Sequence, residues 1–511
     1  MAALALAATG LPLEKVFAAD NCTVKTRYGT FNGFVDEIGV KTWLGIPYAQ
    51  PPVGKLRWQP TQPLKPTNKT FDAKKFGASA PQEDDDIEAS SKNVQSEDCL
   101  TLNIWKRSDK KNLPVMVFIH GGSFMHGGTV DPLYYGNNLA AAQDVIVVSF
   151  NYRLNIFGFM HFELIDPSLK DAGYLGLQDQ IAALKWVKEN ISAFGGNPDN
   201  ITIFGESAGS ISCFLLTVTP AARGLFQKAI PESGPSRFVH DMEHAAQLTE
   251  DFMNLSGTRK MRDMMKKSTA ELKELYVKLF EMRIKTAHSD FIPACDGKFL
   301  PEDPFTAMKN GDARGIKLLT GVNADEWGYW LLYDENYFKT FKETHEKISL
   351  VMTRYRKLTS HTDAEVYQKW LNGRPDTEAN YRDFVNQVDW RVGQELDAEN
   401  QSKFNDTYYY LFSDLSLREE LGSFHSLELS FVFNKPFDDL LPNPPQNLVK
   451  QVQASWAAFA ATGNPNNEFI PHWEKYTVNN RQTMELNATA CVCHKDLNTQ
   501  NLNVLRYVYE S

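Results

Sequence analysis

Cysteine is scarce in this chain of 511 residues. Six are spread along its length, too few and too scattered for a disulfide-stapled scaffold. Cys491 and Cys493 are followed by His494, but no second cluster of ligating residues accompanies them, so no metal site is expected. Long apolar runs are missing as well. No stretch of eighteen apolar residues occurs, and no transmembrane span is expected. Positive charge is in deficit, with 53 Lys and Arg against 63 Asp and Glu. The net charge of −10 argues against nucleic acid or an anionic membrane as partner. Core material is plentiful. Hydrophobic residues make up 42% and aromatics 12%, which excludes global disorder.

Met1 to Ala19 is small and apolar and closes on Val16-Phe17-Ala18-Ala19, the pattern of a secretory signal's end. A basic start is absent, and Glu14 and Lys15 interrupt the run, which fits a clipped signal. The expected location is secreted or periplasmic, with the cytoplasm as the alternative.

Beyond this segment the chain punctuates itself. Val24 to Ile46 holds short aromatic and β-branched runs split by glycines, as in a small antiparallel sheet. Leu100 to Trp105, Val115 to Ile119, Val145 to Phe150, Ile201 to Phe204, Ile316 to Val322 and Thr407 to Phe412 read as strands. The near-continuous apolarity of Val145 to Phe150 marks a strand covered on both faces. Leu175 to Ile191 has apolar residues at helical spacing, and Leu448 to Phe459 reads as a terminal helix around Trp456. Strand, helix and strand in alternation predict an α/β fold with a mostly parallel sheet. No repeat or clear linker breaks residues 20–511, so a single domain is expected, with helical rim insertions around 235–310 and 330–400.

The most telling segment is Gly205-Glu206-Ser207-Ala208-Gly209, which follows the apolar run Ile201 to Phe204. This is the nucleophile-elbow pattern, a sharp strand-to-helix turn that presents a serine hydroxyl. A serine is a poor nucleophile at neutral pH and needs an imidazole to take its proton, and a carboxylate to orient that imidazole. In α/β-hydrolases these follow in the order serine, acid, histidine. Among eleven histidines, His425 is the best base, held in a glycine-containing loop that runs into the apolar segment Leu429 to Phe433. Glu326 is the best acid, in a loop after the Ile316 to Val322 strand. Adjacent Asp325 is a rival that spacing does not exclude. His120-Gly121-Gly122-Ser123-Phe124 directly follows a strand, where a turn can aim amides at a developing oxyanion. The amide after the nucleophile, that of Ala208, is the expected second contributor.

Ordered matches then accumulate: Leu44-Gly45-Ile46-Pro47-Tyr48-Ala49, Glu97-Asp98-Cys99-Leu100-Thr101-Leu102-Asn103, His120-Gly121-Gly122, Asn151-Tyr152-Arg153-Leu154, Gly176-Leu177-Gln178-Asp179-Gln180, Phe194-Gly195-Gly196-Asn197-Pro198, the elbow itself, Asn323-Ala324-Asp325-Glu326 and Phe424-His425. On these the chain resembles the type-B carboxylesterase family of α/β-hydrolases, which includes cholinesterases and some lipases, and within it a bacterial-type member. The resemblance implies a Ser207–Glu326–His425 triad, with Glu326 rather than Asp325 as acid, and an oxyanion hole from the backbone N–H groups of Gly122, Ser123 and Ala208. It implies no cofactor.

Departures from the family pattern bear on substrate. Ser123 and Trp327 stand where relatives usually carry glycine, and Glu232 stands where they usually carry glutamine. Residues 74–95 lack the tryptophan on which cholinesterases bind choline, which disfavours quaternary ammonium esters. The usual disulfide partner of Cys99 is missing from the same loop, leaving Cys22 as its one candidate. Phe124, Glu232, Trp327, Tyr329 and Trp330 are the expected pocket residues, and they suit moderately apolar or aromatic small-molecule esters. A lipase acting on glycerides is the nearer alternative. A noncatalytic adhesion relative is the farther one, since such relatives lose triad members that stand here.

Overall fold

A computed structural model describes residues 22–83, 89–283, 291–333, 335–336, 338–339 and 362–510. The expected signal segment lies outside them, as does part of the second expected insertion.

The main sheet has eleven strands. In chain order they are β1 (Phe34–Val35), β2 (Lys41–Pro47), β3 (Thr101–Lys106), β4 (Leu113–Ile119), β5 (Ile146–Phe150), β6 (Gly196–Glu206), β7 (Lys228–Glu232), β8 (Lys317–Asn323), β9 (Thr407–Phe412), β10 (Thr483–Leu486) and β11 (Val492–His494). Across the sheet the order is β11-β10-β9-β8-β7-β6-β4-β5-β3-β2-β1. Seven strands from β10 to β5 run parallel, while β11 and the β3-β2-β1 edge are antiparallel. This is the α/β-hydrolase arrangement. Every residue of β5, β7 and β9 is buried, because helices cover both faces.

Those helices are α1 (Leu175–Asn190), α2 (Ala208–Val218), α3 (Met242–Ser256), α4 (Thr269–Arg283), α5 (Val392–Ser402), α6 (Leu429–Phe433), α7 (Gln446–Thr462) and α8 (Thr499–Glu510). Residues of α1 and α2 join one core cluster, with Trp186 and Phe214 fully buried. Residues of α6 and α7 join a second cluster on the other face, with Phe431 and Trp456 fully buried. The helix around Trp456 is therefore not terminal. Leu502, Leu505, Val508 and Tyr509 of α8 recur at helical spacing and are buried in the first cluster, so a further amphipathic helix closes the chain.

The small N-terminal sheet pairs Thr23–Thr26 with Gly29–Asn32 antiparallel, as expected, but its third strand, Thr70–Asp72, joins parallel. No disulfide joins any of the six cysteines. Cys22 and Cys99 are both buried and unbonded to each other, so burial does the work that a bridge does elsewhere. No helix among the described residues is long and apolar enough to cross a membrane.

Candidate active site

Strand β6 ends at Glu206 and α2 begins at Ala208, which leaves one residue to reverse the chain. Ser207 does so at φ 58° and ψ −121°, a conformation costly for a side-chain-bearing residue and held only where the surroundings enforce it. The flanking glycines let it happen. A Cβ on Gly205 would lie 2.5 Å from the Ile119 carbonyl oxygen, and one on Gly209 only 2.0 Å from the same atom. The Ser207 N–H donates to the Glu232 carbonyl at 2.9 Å, which ties the elbow to β7.

His425 and Glu326 come from neighbouring strand ends. Glu326 follows β8 and is fully buried. Its Oε1 accepts the Asn323 N–H at 2.7 Å, and its Oε2 lies 2.6 Å from Nδ1 of His425. The His425 N–H in turn donates to the Glu326 carbonyl at 3.2 Å, and Asn323 Nδ2 donates to the Phe424 carbonyl at 2.8 Å. The acid and the histidine loop are thus clamped twice. Asp325 points elsewhere and accepts the Ser423 N–H at 3.2 Å. Geometry separates the two acids that spacing left open: Glu326 reaches the imidazole, and Asp325 braces the loop behind it.

The other imidazole nitrogen has a partner the sequence reading missed. Nε2 of His425 lies 2.9 Å from Oε1 of Glu206, the residue just before Ser207. The Ser426 hydroxyl donates to the same oxygen at 2.6 Å. Among the described residues no hydrogen bond joins the Ser207 hydroxyl to His425. Burial opposes charge on the imidazole, but Glu206 and Glu326 outweigh it and hold His425 well above the ordinary histidine range. Its base form is therefore reached only at higher pH.

The glycine turn after β4 stands beside the elbow. Gly122, Ser123 and Phe124 all have positive φ, at 93°, 53° and 60°. A Cβ on Gly121 would lie 3.1 Å from Cβ of Ser207, so the turn packs directly on Ser207. Among the described residues the amides of Gly122 and Ser123 donate to no group. Such amides are available to an oxyanion.

The expected pocket residues divide. Tyr329 and Trp330 are partly exposed and stand near the imidazole, with ring centroids 6.2 and 5.5 Å from it. Phe124, Trp327 and Glu232 are fully buried and act from behind the surface. The main-chain N–H of Trp327 donates to Asn386 Oδ1 at 3.0 Å, which anchors the loop carrying Glu326. Asn386 opens a π-helical turn, Asn386–Arg391, a distortion often found at functional sites. This turn brings Trp390 to 4.6 Å from the His425 ring. No periodicity in the sequence marks Trp390, a lone aromatic in Asp389-Trp390-Arg391.

A family model described as the carboxylesterase family matches residues 20–505. The para-nitrobenzyl esterase of Bacillus subtilis (strain 168) is 38% identical over 483 residues, which cover 91% of this chain and 94% of that protein. The cholinesterase of Mus musculus is 34% identical over 495 residues, 89% of this chain and 81% of its own length. Among solved structures, the Geobacillus stearothermophilus carboxylesterase EST55 superposes with a TM-score of 0.83 at 32% identity, covering 95% of this chain and all of the other. A thermophilic PNB esterase does so with 0.82 at 35% identity, covering 94% and 99%.

Proposed function

Since the chain belongs to the carboxylesterase family and is a serine hydrolase of carboxylesterase type, we propose that it cleaves esters through an acyl-Ser207 intermediate, with His425 as base and Glu326 as orienting acid. The observation that carries this is the buried Glu326–His425 pair, 2.6 Å between oxygen and Nδ1, seated at the strand ends beside a strained Ser207.

In the resting arrangement Nε2 faces Glu206. Ser207 is the next residue along, so passing Nε2 from the carboxylate to the hydroxyl is a local shift, and catalytic hydrogen bonds commonly tighten only with substrate bound. His425 then takes the serine proton as Oγ bonds to the ester carbon. The carbonyl electron pair moves to oxygen, facing the amides of Gly122, Ser123 and Ala208. The imidazolium, stabilised by Glu326, gives its proton to the leaving alkoxide as the C–O bond breaks. Water activated by His425 releases the acid and restores the serine.

Trp330, Tyr329 and Trp390 beside the imidazole favour moderately apolar or aromatic esters. Ser207→Ala should retain fold and lose both turnover and labelling by a fluorophosphonate probe. Full activity in that variant would defeat the mechanism. Rates across nitrophenyl esters of increasing acyl length, with and without an oil–water interface, read the substrate class, and strong interfacial activation would favour a lipase. Export belongs to the same reading, carried by Met1 to Ala19 alone, and N-terminal sequencing of the mature protein tests it.

A further inference from the structure

Behind Ser207, on the sheet face covered by α6 and α7, lies a set of polar groups that the proposed chemistry leaves unused. Glu206, Glu232, Gly321 and Tyr410 are in register on the successive strands β6, β7, β8 and β9, so they share one face of the sheet. Gly321 brings no side chain, and the Tyr410 ring lies over it, 2.4 Å from where a Cβ would stand. Glu428 and Ser430 come from the start of α6, and Trp456 from α7.

Oε1 of Glu428 and the hydroxyls of Tyr410 and Ser430 are buried without a hydrogen-bond partner, and the Glu232 carboxyl has only the Trp456 indole acting on it as a donor. None of these five residues is more than 1% exposed. Leaving one such group unpaired costs about 1–3 kcal/mol, so further partners for these groups are favoured. Hydroxyl and indole donors face carboxyl acceptors in one place, and internal water answers that pattern.

Charge sharpens the inference. Glu206, Glu232 and Glu428 bring three carboxyls together, and Glu326 adds a fourth that acts on Glu428. The other titratable groups facing them are Tyr410 on β9, Cys213 on α2 and His425. The imidazole alone among these is a potential cation, and it is already held by Glu326 and Glu206. Like carboxyls crowded in a buried site cannot all ionise.

We propose that Glu232 is a positioning residue that works as a neutral acid and, with Glu428, Tyr410, Ser430 and Trp456, holds internal water behind the nucleophile. Its main chain seats the elbow through the Ser207 N–H, while its side chain carries the proton. Burial, then Glu428 and Glu206, push the Glu232 carboxyl well above the usual carboxylate range. Loss of that proton to water would place an uncompensated negative charge on the strand next to the elbow, where the oxyanion develops. Ester turnover therefore declines at alkaline pH as Glu232 ionises, a consequence that rests on the Ser207 mechanism above.

Difference infrared spectroscopy of wild type against Glu232→Gln at neutral pH reads the proton without turnover. A protonated-carboxyl band present in wild type and lost in the variant is expected. No lost band means Glu232 is ionised and overturns the proposal. If Glu232→Gln does not fold, the same band followed with pH in wild type labelled with carbon-13 glutamate must persist past neutrality; its loss below neutrality overturns the proposal. The pH–rate profile with a nitrophenyl ester then reads the consequence. Glu232→Gln should lose the alkaline limb, and Glu232→Asp, still titratable, should retain one. An unchanged limb in Glu232→Gln overturns the coupling. Failure of wild-type Ser207 to react with a fluorophosphonate would sink the serine mechanism and leave the infrared result standing.

Discussion

Glu206 lies 2.9 Å from Nε2 of His425, on the nitrogen that the proposed mechanism turns toward Ser207, opposite the one Glu326 holds. An imidazole with a carboxylate on each nitrogen favours its protonated form. Because His425 is held well above the ordinary histidine range and acts as base only when neutral, kcat/KM should rise with pH along an acid limb displaced upward. Glu206→Gln removes one of the two charges and should move that limb to lower pH. A pH–rate profile in which the limb stays in place would show that Glu206 does not control the imidazole.

Glu326 and Asp325 are neighbours with different tasks. Glu326→Gln should lower kcat by about a thousandfold or more, the scale of losing the orienting acid of a triad. Asp325→Asn should cost under about tenfold in kcat and show mainly in stability, through the Ser423 N–H it accepts. Steady-state kinetics beside urea denaturation of both variants checks the division, and equal losses in kcat would refute it.

The elbow glycines are a packing requirement. Gly209→Ala would place a methyl 2.0 Å from the Ile119 carbonyl oxygen, a backbone atom that cannot move without shifting β4. A destabilisation of about 3 kcal/mol or more is expected, in the upper part of the usual range for single substitutions. Denaturant midpoints measure it, and a near-neutral result would mean that the elbow packs more loosely than described.

Asp397 on α5 braces the segment after β7, accepting the Ser236 N–H at 2.7 Å and its hydroxyl at 2.6 Å. Burial pushes its carboxyl from the ordinary 3.8 up to about 7 against those hydrogen bonds. Unfolded, the group gives up its proton near 3.8; folded, it keeps it to about 7. The stabilisation from this raised affinity is thus complete below the lower value and is lost as pH rises through the upper one. Asp397→Asn should flatten the fall in stability across that window. Thermal melts at a series of pH values, wild type beside variant, provide the comparison.

Local pattern was enough to place Thr407–Phe412, which matches its strand residue for residue, and α1, whose stop at Asn190 lies one residue from expectation. Those elements are set by apolar spacing and by glycine and proline at their ends, which short stretches of chain carry by themselves. The elbow was readable because its glycines and serine fall within five residues, although the steric demand those glycines answer comes from the Ile119 carbonyl on β4. A closing helix went unassigned because its apolar stripe matters only once it docks on the first core cluster.

The order of residues by itself determined the α/β alternation, the serine turn, and the set of acids and histidines from which a site could be built. Only the tertiary structure decided which partners meet. It set Glu326 rather than Asp325 on Nδ1 of His425, Glu206 on Nε2 and Trp390 over the ring, and it aligned Glu232 with Tyr410 across three strands. Those relationships join residues far apart in the chain, and the neighbouring Ser426–Glu206 bond spans 220 positions. Strand order and register fix them, and no local spacing encodes either.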